Sequence, residues 1–147
     1  MKFSVRVNYG LRAAGLLAER FGDGRPVLGR EIAETEALPV AYLEQIMGVL
    51  RRADLVSGTR GKHGGYVLTR PPQEVSVLEL IDALEGPPGI SECSSRAACC
   101  DDPDACAVCE VLEAGEDALR SAFASVRLPD LAERRRILRE HDNMYHI

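Results

Sequence analysis

Apolar residues recur at the spacing of one helix face in the first twenty or so positions of the chain. The members of this face are Val7, Leu11, Ala14, Ala18 and Phe21. Because an α-helix repeats about every 3.6 residues, the pattern predicts a first helix from about Val5 to Phe21. The turn-forming residues between Gly22 and Pro26 are expected to end it.

Two shorter helical patterns follow. The stretch Arg30–Glu36 has Ile32 and Ala33 as its clear apolar positions and fits a short second helix. Pro39 is placed to open a third helix, Val40–Ala53, since the first turn of a helix does not use the N–H that proline lacks. The apolar face of this third helix consists of Leu43, Ile46, Met47 and Leu50. The residues that mostly lie off that face are Tyr42, Glu44, Gln45 and Arg52.

The next apolar segments are short and flank a glycine-rich loop, which is the pattern of a β-hairpin. One strand is predicted to start at Leu55-Val56, and Tyr66-Val67-Leu68 is predicted to lie in the return strand. Between them, Ser57–Gly65 carries several glycines around Arg60 and Lys62. We therefore expect a flexible, cationic hairpin tip.

A pair of prolines, Pro71-Pro72, marks a boundary after the hairpin. Ser76 and Glu79 have the spacing of a capping box, in which each side chain accepts a hydrogen bond from the other residue's backbone N–H. This motif predicts the start of a fourth helix that continues through Leu84. The glycines and prolines at positions 86–89 are expected to end it.

The last part of the chain is predicted to be a cysteine-rich loop and two further helices. The loop runs from Ile90 to about Ala105, a long helix extends from there to about Val126, and a last helix runs from Leu131 to about Glu140. The predicted fold class is therefore mainly α with a small β-hairpin wing. This order of elements is a winged helix-turn-helix followed by a long helix.

Charge is distributed unevenly along the chain, and this changes how its total is interpreted. The formal net charge of −5 argues weakly against a nucleic-acid partner, but DNA responds to a local patch of charge. Between positions 51 and 70 only Asp54 opposes five basic residues, which are Arg51, Arg52, Arg60, Lys62 and Arg70. Hydrophobic residues make up 46% of the chain and aromatic residues 5%, so the core is expected to be aliphatic.

The five cysteines are the most informative chemical feature. No stretch reaches the roughly 18 apolar residues of a membrane span, and residues 1–4 do not begin a secretory signal, so we expect a cytoplasmic protein without a membrane partner. In a reducing compartment, clustered cysteines more often bind metal or sense redox state than form disulfides. They fall within 17 positions: Cys93, Cys99, Cys100, Cys106 and Cys109.

Thiolates packed this densely suit an iron–sulfur cluster or zinc. Cys106 and Cys109 are three positions apart, on one face of a helical turn, and could bind one metal centre. The sequence shows no catalytic motif that competes with this interpretation: it has no Walker-type loop, no Gly-x-Ser-x-Gly and no zincin motif. An enzyme is therefore not expected.

The two short helices and the cationic hairpin suit duplex DNA. Residues on a helix in the major groove can discriminate bases: Glu44 can accept from a cytosine amino group, and Gln45 can pair with adenine. Arg60 at the hairpin tip can reach into a minor groove. The alternative is that the winged helix mediates protein contacts and that Glu44 and Gln45 are solvent-facing helix formers.

Three features together resemble the IscR/NsrR-type family of winged-helix iron–sulfur transcriptional regulators. They are Tyr42-Leu43-Glu44-Gln45, the glycine-rich segment Arg60-Gly61-x-x-Gly64-Gly65-Tyr66 that follows Leu55-Val56, and the cysteine loop. The resemblance implies DNA contacts by Tyr42, Glu44, Gln45 and Arg60, to which we add Lys62 of the hairpin. It also implies a homodimer that pairs through the long helix and binds a near-palindromic operator. The chain then divides into a DNA-binding region, 1–72, and a cysteine-loop sensor and dimerisation region, 73–147.

The same resemblance implies a ligand set for the cluster. Family members place three cysteines about six positions apart with a fourth ligand nearby, which favours Cys93, Cys99, Cys106 and Cys109. Cys109 stands where the family's iron–sulfur regulator has a histidine, and Asn8 stands where its nitric-oxide sensor has an acid. Cys99 and Cys100 compete for one position, and Cys100 is the expected spare.

The expected function is control of operator binding by a 2Fe–2S or 4Fe–4S cluster that senses redox state, nitric oxide or cluster status. Other functions remain open at this point. Four cysteines also suit a tetrahedral zinc site, and thiol redox chemistry needs no metal. An iron–sulfur carrier or electron-transfer protein is a further alternative, although such a protein does not need a cationic glycine-rich hairpin.

Overall fold

The computed structural model describes residues 2–87, 89 and 106–145. In these residues the helices are α1 (Val5–Glu19), α2 (Gly29–Glu36), α3 (Val40–Arg52), α4 (Val77–Glu85), α5 (Ala107–Ser125) and α6 (Leu128–Tyr145), and the strands are β1 (Val56–Thr59) and β2 (Gly65–Leu68). The mainly helical fold with an antiparallel hairpin after the third helix agrees with the prediction.

The core lies where α1, α3 and α4 meet. The predicted apolar face of α3 is buried at all four positions, Leu43, Ile46, Met47 and Leu50. Helix α1 approaches α4 closely at Gly10, where an added Cβ would lie 2.4 Å from the Cδ1 atom of Leu84. Small residues on α1 therefore set how tightly the two helices pack.

The hairpin is joined to the segment before α2. Its strands pair from Val56 opposite Leu68 to Thr59 opposite Gly65, so β1 extends into the stretch that was predicted as part of the tip. Val27 continues the ladder on the other edge of β2, because Val27 and Tyr66 exchange two backbone hydrogen bonds of 2.9 and 2.8 Å. Gly65 has a φ of +132°, and an added Cβ would lie 2.5 Å from the Val27 carbonyl oxygen. Only glycine allows this close approach.

The capping box that was predicted at the start of α4 is confirmed. The backbone N–H of Glu79 donates to the Ser76 hydroxyl at 3.2 Å, and the backbone N–H of Ser76 donates to the Glu79 carboxylate at 2.8 Å. Arg70 pairs with the same carboxylate at 2.7 Å. Gly86 follows the last turn with a φ of +91°, which agrees with the predicted end of the helix.

The bounds of α1 and α6 differ from the predictions. Helix α1 ends at Glu19 rather than Phe21, and α6 runs from Leu128 to Tyr145 rather than from Leu131 to about Glu140. The early start of α6 has a local cause, since the Asp130 carboxylate accepts a hydrogen bond of 2.8 Å from the backbone N–H of Arg127. Proline is tolerated in a first helical turn, so the Leu-Pro-Asp segment belongs to α6.

Ion pairs attach α6 to the helix-turn-helix unit. Arg135 donates to Glu19 of α1 at 2.8 Å and also to Glu36 of α2. Arg139 reaches the same two carboxylates, each at 3.0 Å. The buried Glu36 also accepts from Arg12 at 3.3 Å. The C-terminal helix is thus held against both α1 and α2 by a charged cluster.

The core includes residues on both sides of the boundary at position 72. Val56 and Leu68 of the hairpin share it with Leu80 and Leu84 of α4 and with Leu128 of α6. The division of the chain into regions 1–72 and 73–147 stays a prediction. Among the helices that the structure describes, none is both long and apolar enough to cross a membrane.

Candidate DNA-reading face and cysteine site

Helix α3 turns its polar residues away from the core. Because Leu43, Ile46 and Met47 are buried, Glu44 and Gln45 lie on the exposed side of the helix. Tyr42 is only half-buried, and its ring packs edge-to-face against the ring of Tyr9, with 5.8 Å between centroids. Glu44 and Gln45 are therefore presented to solvent, whereas Tyr42 is held against α1.

An open cleft of about 860 Å³ lies between α3, the start of α2 and the hairpin, and we call it the α3–hairpin cleft. Glu44 and Arg60 both line it. Gln45 and Tyr42 instead line a neighbouring depression of about 690 Å³, which also borders Glu44. Lys62 is exposed near the hairpin tip and lines neither space. Glu44 thus borders both the cleft that contains Arg60 and the depression that contains Tyr42 and Gln45.

The cleft carries arginines that form no ion pair within the part of the chain that the structure describes. Arg30, Arg51 and Arg60 line it, and none of the three forms an ion pair with a residue that the structure describes. Elsewhere, arginines of the same half of the chain are paired, as Arg25 is with Glu31 at 3.2 Å and Arg70 with Glu79 at 2.7 Å. The cations of the cleft are therefore available to an anionic partner such as a phosphate backbone.

Arg30 was not among the residues predicted from the sequence to contact DNA. It lies at the start of α2, 30 positions before Arg60, and only the tertiary fold brings the two to one cleft. The apolar residues Leu28 and Val40, which also line the cleft, were missed as well. Val40 could have been proposed from the sequence, because it lies in the first turn of the predicted recognition helix, where base-contacting residues commonly lie.

The described cysteines lie at the N-terminal end of α5. Cys106 is the N-cap residue and is half-buried, and Cys109, in the first turn, is 3% exposed. The predicted start of the long helix just after residue 105 is thereby confirmed. Cys93, Cys99 and Cys100 lie outside the described residues. Residues 2–87, 89 and 106–145 contain by themselves no group of three or more His, Cys, Asp or Glu side chains arranged to hold a metal ion.

Helix α5 is mostly exposed in the single chain. Cys109 is its only buried residue, while Val108 and Val111 are 63% and 71% exposed. On its inner side, Arg120 pairs with Asp82 of α4 at 3.4 Å. A 19-residue helix that leaves valines in solvent is typical of an element that packs against another protein surface.

A helix-turn-helix whose second helix faces a cationic hairpin has the architecture of the winged-helix class of DNA-binding folds. The match to known families makes this specific. Residues 3–134 match the sequence model of Rrf2, which is described as an iron-dependent transcriptional regulator, and the chain belongs to this family.

Individual relatives include CymR and IscR, which are both described as HTH-type transcriptional regulators. CymR of Bacillus subtilis is 42% identical over 87 residues, which are 59% of this chain and 62% of CymR, and protein rrf2 of Nitratidesulfovibrio vulgaris is 35% identical over 100 residues. The chain thus spans slightly less than two thirds of these two relatives, at 62% and 66% of their lengths. IscR of Photorhabdus laumondii is 28% identical over 138 residues, with 94% of this chain and 83% of IscR covered.

Solved structures of the family have the same fold. CymR (YrzC), described as the global cysteine regulator of B. subtilis, matches with a TM-score of 0.77 at 34% identity, over 90% of this chain and 97% of that one. IscR of T. potens matches with a TM-score of 0.70 at 32% identity, over 90% of this chain and 87% of that one. The resemblance inferred from the sequence motifs is thereby confirmed.

Proposed function

We propose that this Rrf2-family regulator binds a near-palindromic operator as a homodimer and that an iron–sulfur cluster controls its DNA affinity. Cys93, Cys99, Cys106 and Cys109 are the proposed ligands, with Cys100 as the spare cysteine. The proposed DNA contacts are Tyr42, Glu44, Gln45, Arg60 and Lys62. The observation that carries the proposal is the placement of Cys106 at the N-cap and of Cys109 in the first turn of the largely exposed helix α5.

This placement fits a thiolate-ligated centre. The N-terminal end of a helix carries a partial positive charge, which favours the negative charge of thiolate ligands. Cys109 is shielded from solvent, and Cys106 precedes it by three residues, so both sulfurs belong to one face of the first turn. The description of the family as iron-dependent and the similarity to IscR support iron as the metal.

A bound cluster would supply a centre whose chemical state changes with oxidation, nitrosylation or loss of iron. The residues of this chain offer a physical route from that centre to the DNA face. Helix α5 is attached to α4 by the Arg120–Asp82 pair, and α4 packs in the core against α1 and α3. A change in the first turn of α5 can therefore bias the position of α3, provided that the two cluster states favour different packing of α4 and α5.

A second copy of the chain is the proposed occupant of the exposed side of α5. Pairing through α5 would bury Val108 and Val111, which the single chain leaves exposed. It would also place two recognition helices at a fixed spacing, as a near-palindromic operator requires. Small changes in the tilt of α5 would then alter how well both half-sites are contacted.

A thiol-sensing regulator without a cluster is the second candidate. The observation that favours it is the similarity to CymR, which is described as a cysteine regulator and has been solved in an oxidised form from Staphylococcus aureus, at 33% identity with a TM-score of 0.69. A zinc-stapled site would use the same cysteines in tetrahedral geometry.

Anaerobic purification followed by absorbance, iron, sulfide and zinc analysis separates these candidates. We expect a coloured protein with near-equal amounts of iron and acid-labile sulfide. Stoichiometric zinc without sulfide would establish the zinc alternative, and metal-free protein with reactive thiols would establish the thiol alternative.

Operator affinity then tests the control step. Titration of one operator at one salt concentration should give different dissociation constants for the intact, nitric-oxide-treated and cluster-free protein. Equal affinity in all three states would remove the cluster from the regulatory mechanism, whatever the metal analysis finds.

A further inference from the structure

Two of the exposed large apolar side chains of this protein line the α3–hairpin cleft. Val40 is 48% exposed and Leu28 is 42% exposed, and both border the cleft together with Glu44 and Arg60. A cationic surface that binds only phosphates gains nothing from apolar side chains. Their position among the groups proposed to read bases indicates an apolar partner within the DNA groove.

Val40 and Glu44 lie on the same side of α3. Val40 is the first residue of the helix, and Glu44 follows four positions later, so their side chains project from one face about 6 Å apart along the axis. The N-terminal residues of a recognition helix are those that most often reach base edges. Val40 therefore lies on the same face as Glu44, at the helix end that most often reaches base edges.

Leu28 adds a second apolar group from another element. It is the residue that precedes α2, and its side chain makes no capping hydrogen bond, as expected for an apolar residue at that position. Gly29 follows it, and the ring of Tyr66 fills the space beside that glycine, where an added Cβ would be 3.3 Å from the ring. Tyr66 also lines the cleft, so the segment that carries Leu28 is held beside the hairpin on the cleft wall.

The major groove displays one apolar group, the C5-methyl of thymine. We propose that Val40, with Leu28, reads thymine methyl groups in each operator half-site. The reading rests on the proposed assignment of the cleft to the major groove. Since Glu44 is the group that can accept from a cytosine amino group, the thymine should lie within about two base pairs of a cytosine, given the roughly 3.4 Å rise per base pair.

The experiment begins with selection of duplexes from a randomised library by the purified, DNA-binding form of the protein. In the selected operator each thymine is then replaced singly by deoxyuridine, which removes the C5-methyl group and nothing else. Dissociation constants are measured at one salt concentration for the wild-type protein, Val40→Ser and Leu28→Ser. Val67→Ser is the matched control, because Val67 is 36% exposed but lines a different cavity with Leu17 and Phe21.

We expect one thymine per half-site whose replacement weakens wild-type binding about fourfold, the effect of one buried methyl group. Val40→Ser or Leu28→Ser should bind the thymine and deoxyuridine operators equally, while Val67→Ser should discriminate like the wild type. Melting curves confirm that each variant is folded.

Two results would overturn the inference. One is that no deoxyuridine within two base pairs of a cytosine changes wild-type affinity. The other is that Val40→Ser and Leu28→Ser both keep the full methyl effect. Failure of the selection to enrich any sequence would count against the assignment of the cleft to DNA, which distinguishes that failure from the failure of methyl reading.

Discussion

Glu36 of α2 accepts hydrogen bonds from Arg135 of α6, one of them at 3.2 Å, although the two residues are 99 positions apart in the chain. Both partners are largely removed from water, with side-chain exposures of 4% and 14%. Arg12 and Arg139 reach the same carboxylate at 3.3 and 3.0 Å. The first helix of the helix-turn-helix is thus joined to the last helix of the chain through a buried charge.

Replacement of Glu36 by Gln should destabilise the protein at neutral pH by about 3 kcal/mol, because it leaves the largely buried Arg135 side chain with Glu19 as its remaining acidic partner. Urea unfolding monitored by circular dichroism measures this change. Glu133→Gln is the matched control, since Glu133 pairs with Arg136 on the exposed side of α6, where solvent screens the pair and its loss should change stability much less. Equal losses in the two variants would contradict the importance of the buried pair.

The contribution of Glu36 should also depend on pH. Burial alone would raise its pKa, but the hydrogen bonds and charge of Arg135, together with Arg12 and Arg139, outweigh burial and hold the pKa below the usual 4.5. A carboxyl with a lowered pKa stabilises the fold above its unfolded pKa, and that stability is lost as the pH falls through the folded pKa. The stability difference between wild type and Glu36→Gln should therefore be constant above about pH 5 and shrink below pH 4.5. A difference that stays constant down to acid unfolding would refute this linkage.

Arg60→Ala should weaken operator binding by about 1–3 kcal/mol, because it removes an exposed cation of the α3–hairpin cleft that has no acidic partner among the described residues. The absorbance spectrum and iron content should be unchanged, since the cleft and the first turn of α5 are separate parts of the molecule. Fluorescence anisotropy at fixed salt measures the affinity. Arg134→Ala on the exposed surface of α6 is the control. Equal affinities of the two variants would show that Arg60 of the hairpin does not contribute to DNA binding.

Cys106→Ser should abolish the iron–sulfur absorbance, whereas Cys100→Ser should retain it. Cys106 is at the N-cap of α5, three positions before the buried Cys109, and a serine oxygen there is a poor replacement for a soft thiolate ligand. Iron and sulfide analysis of anaerobically purified variants provides the measurement. The reverse result, in which Cys100 is needed and Cys106 is not, would mean that the proposed ligand register is wrong.

Val111→Lys should weaken self-association, because Val111 is 71% exposed on α5 and its burial is proposed to depend on a second copy. Light scattering coupled to size-exclusion chromatography should show a shift from dimer toward monomer at micromolar concentration. Val67→Lys introduces the same charge at an exposed valine of the hairpin and should remain dimeric. A Val111→Lys protein that dimerises like the control would place the dimer interface elsewhere.

Local features of this fold were predictable because their interacting groups are close in sequence. The capping box of Ser76 and Glu79 involves residues three positions apart, and the buried face of α3 follows from the helical repeat. The start of α6 was predicted at Leu131, two residues after Pro129, and is at Leu128. The hydrogen bond from the Arg127 backbone to Asp130 places that proline within the first turn instead.

Part of the candidate site was also accessible from the pattern of residues. Glu44 and Arg60 were expected to act together, and both line the α3–hairpin cleft. The contributions of Arg30 and Leu28 to that cleft were not predictable, since nothing in their local sequence specifies that the turn before α2 lies beside the hairpin. That proximity depends on the backbone pairing of Val27 with Tyr66, 39 positions away.

By itself, the sequence determined where most helices and strands form, which face of α3 is buried, and that thiols and cations are concentrated in separate segments. These properties depend on residues within about one turn of each other or on composition alone. Only the tertiary structure decided that Glu36 becomes a buried charge shared by three arginines and that two isolated apolar residues meet in a cationic cleft. The residues in these contacts are 12 to 103 positions apart in the chain. They meet only because packing of the whole core supplies the free energy that brings distant segments together.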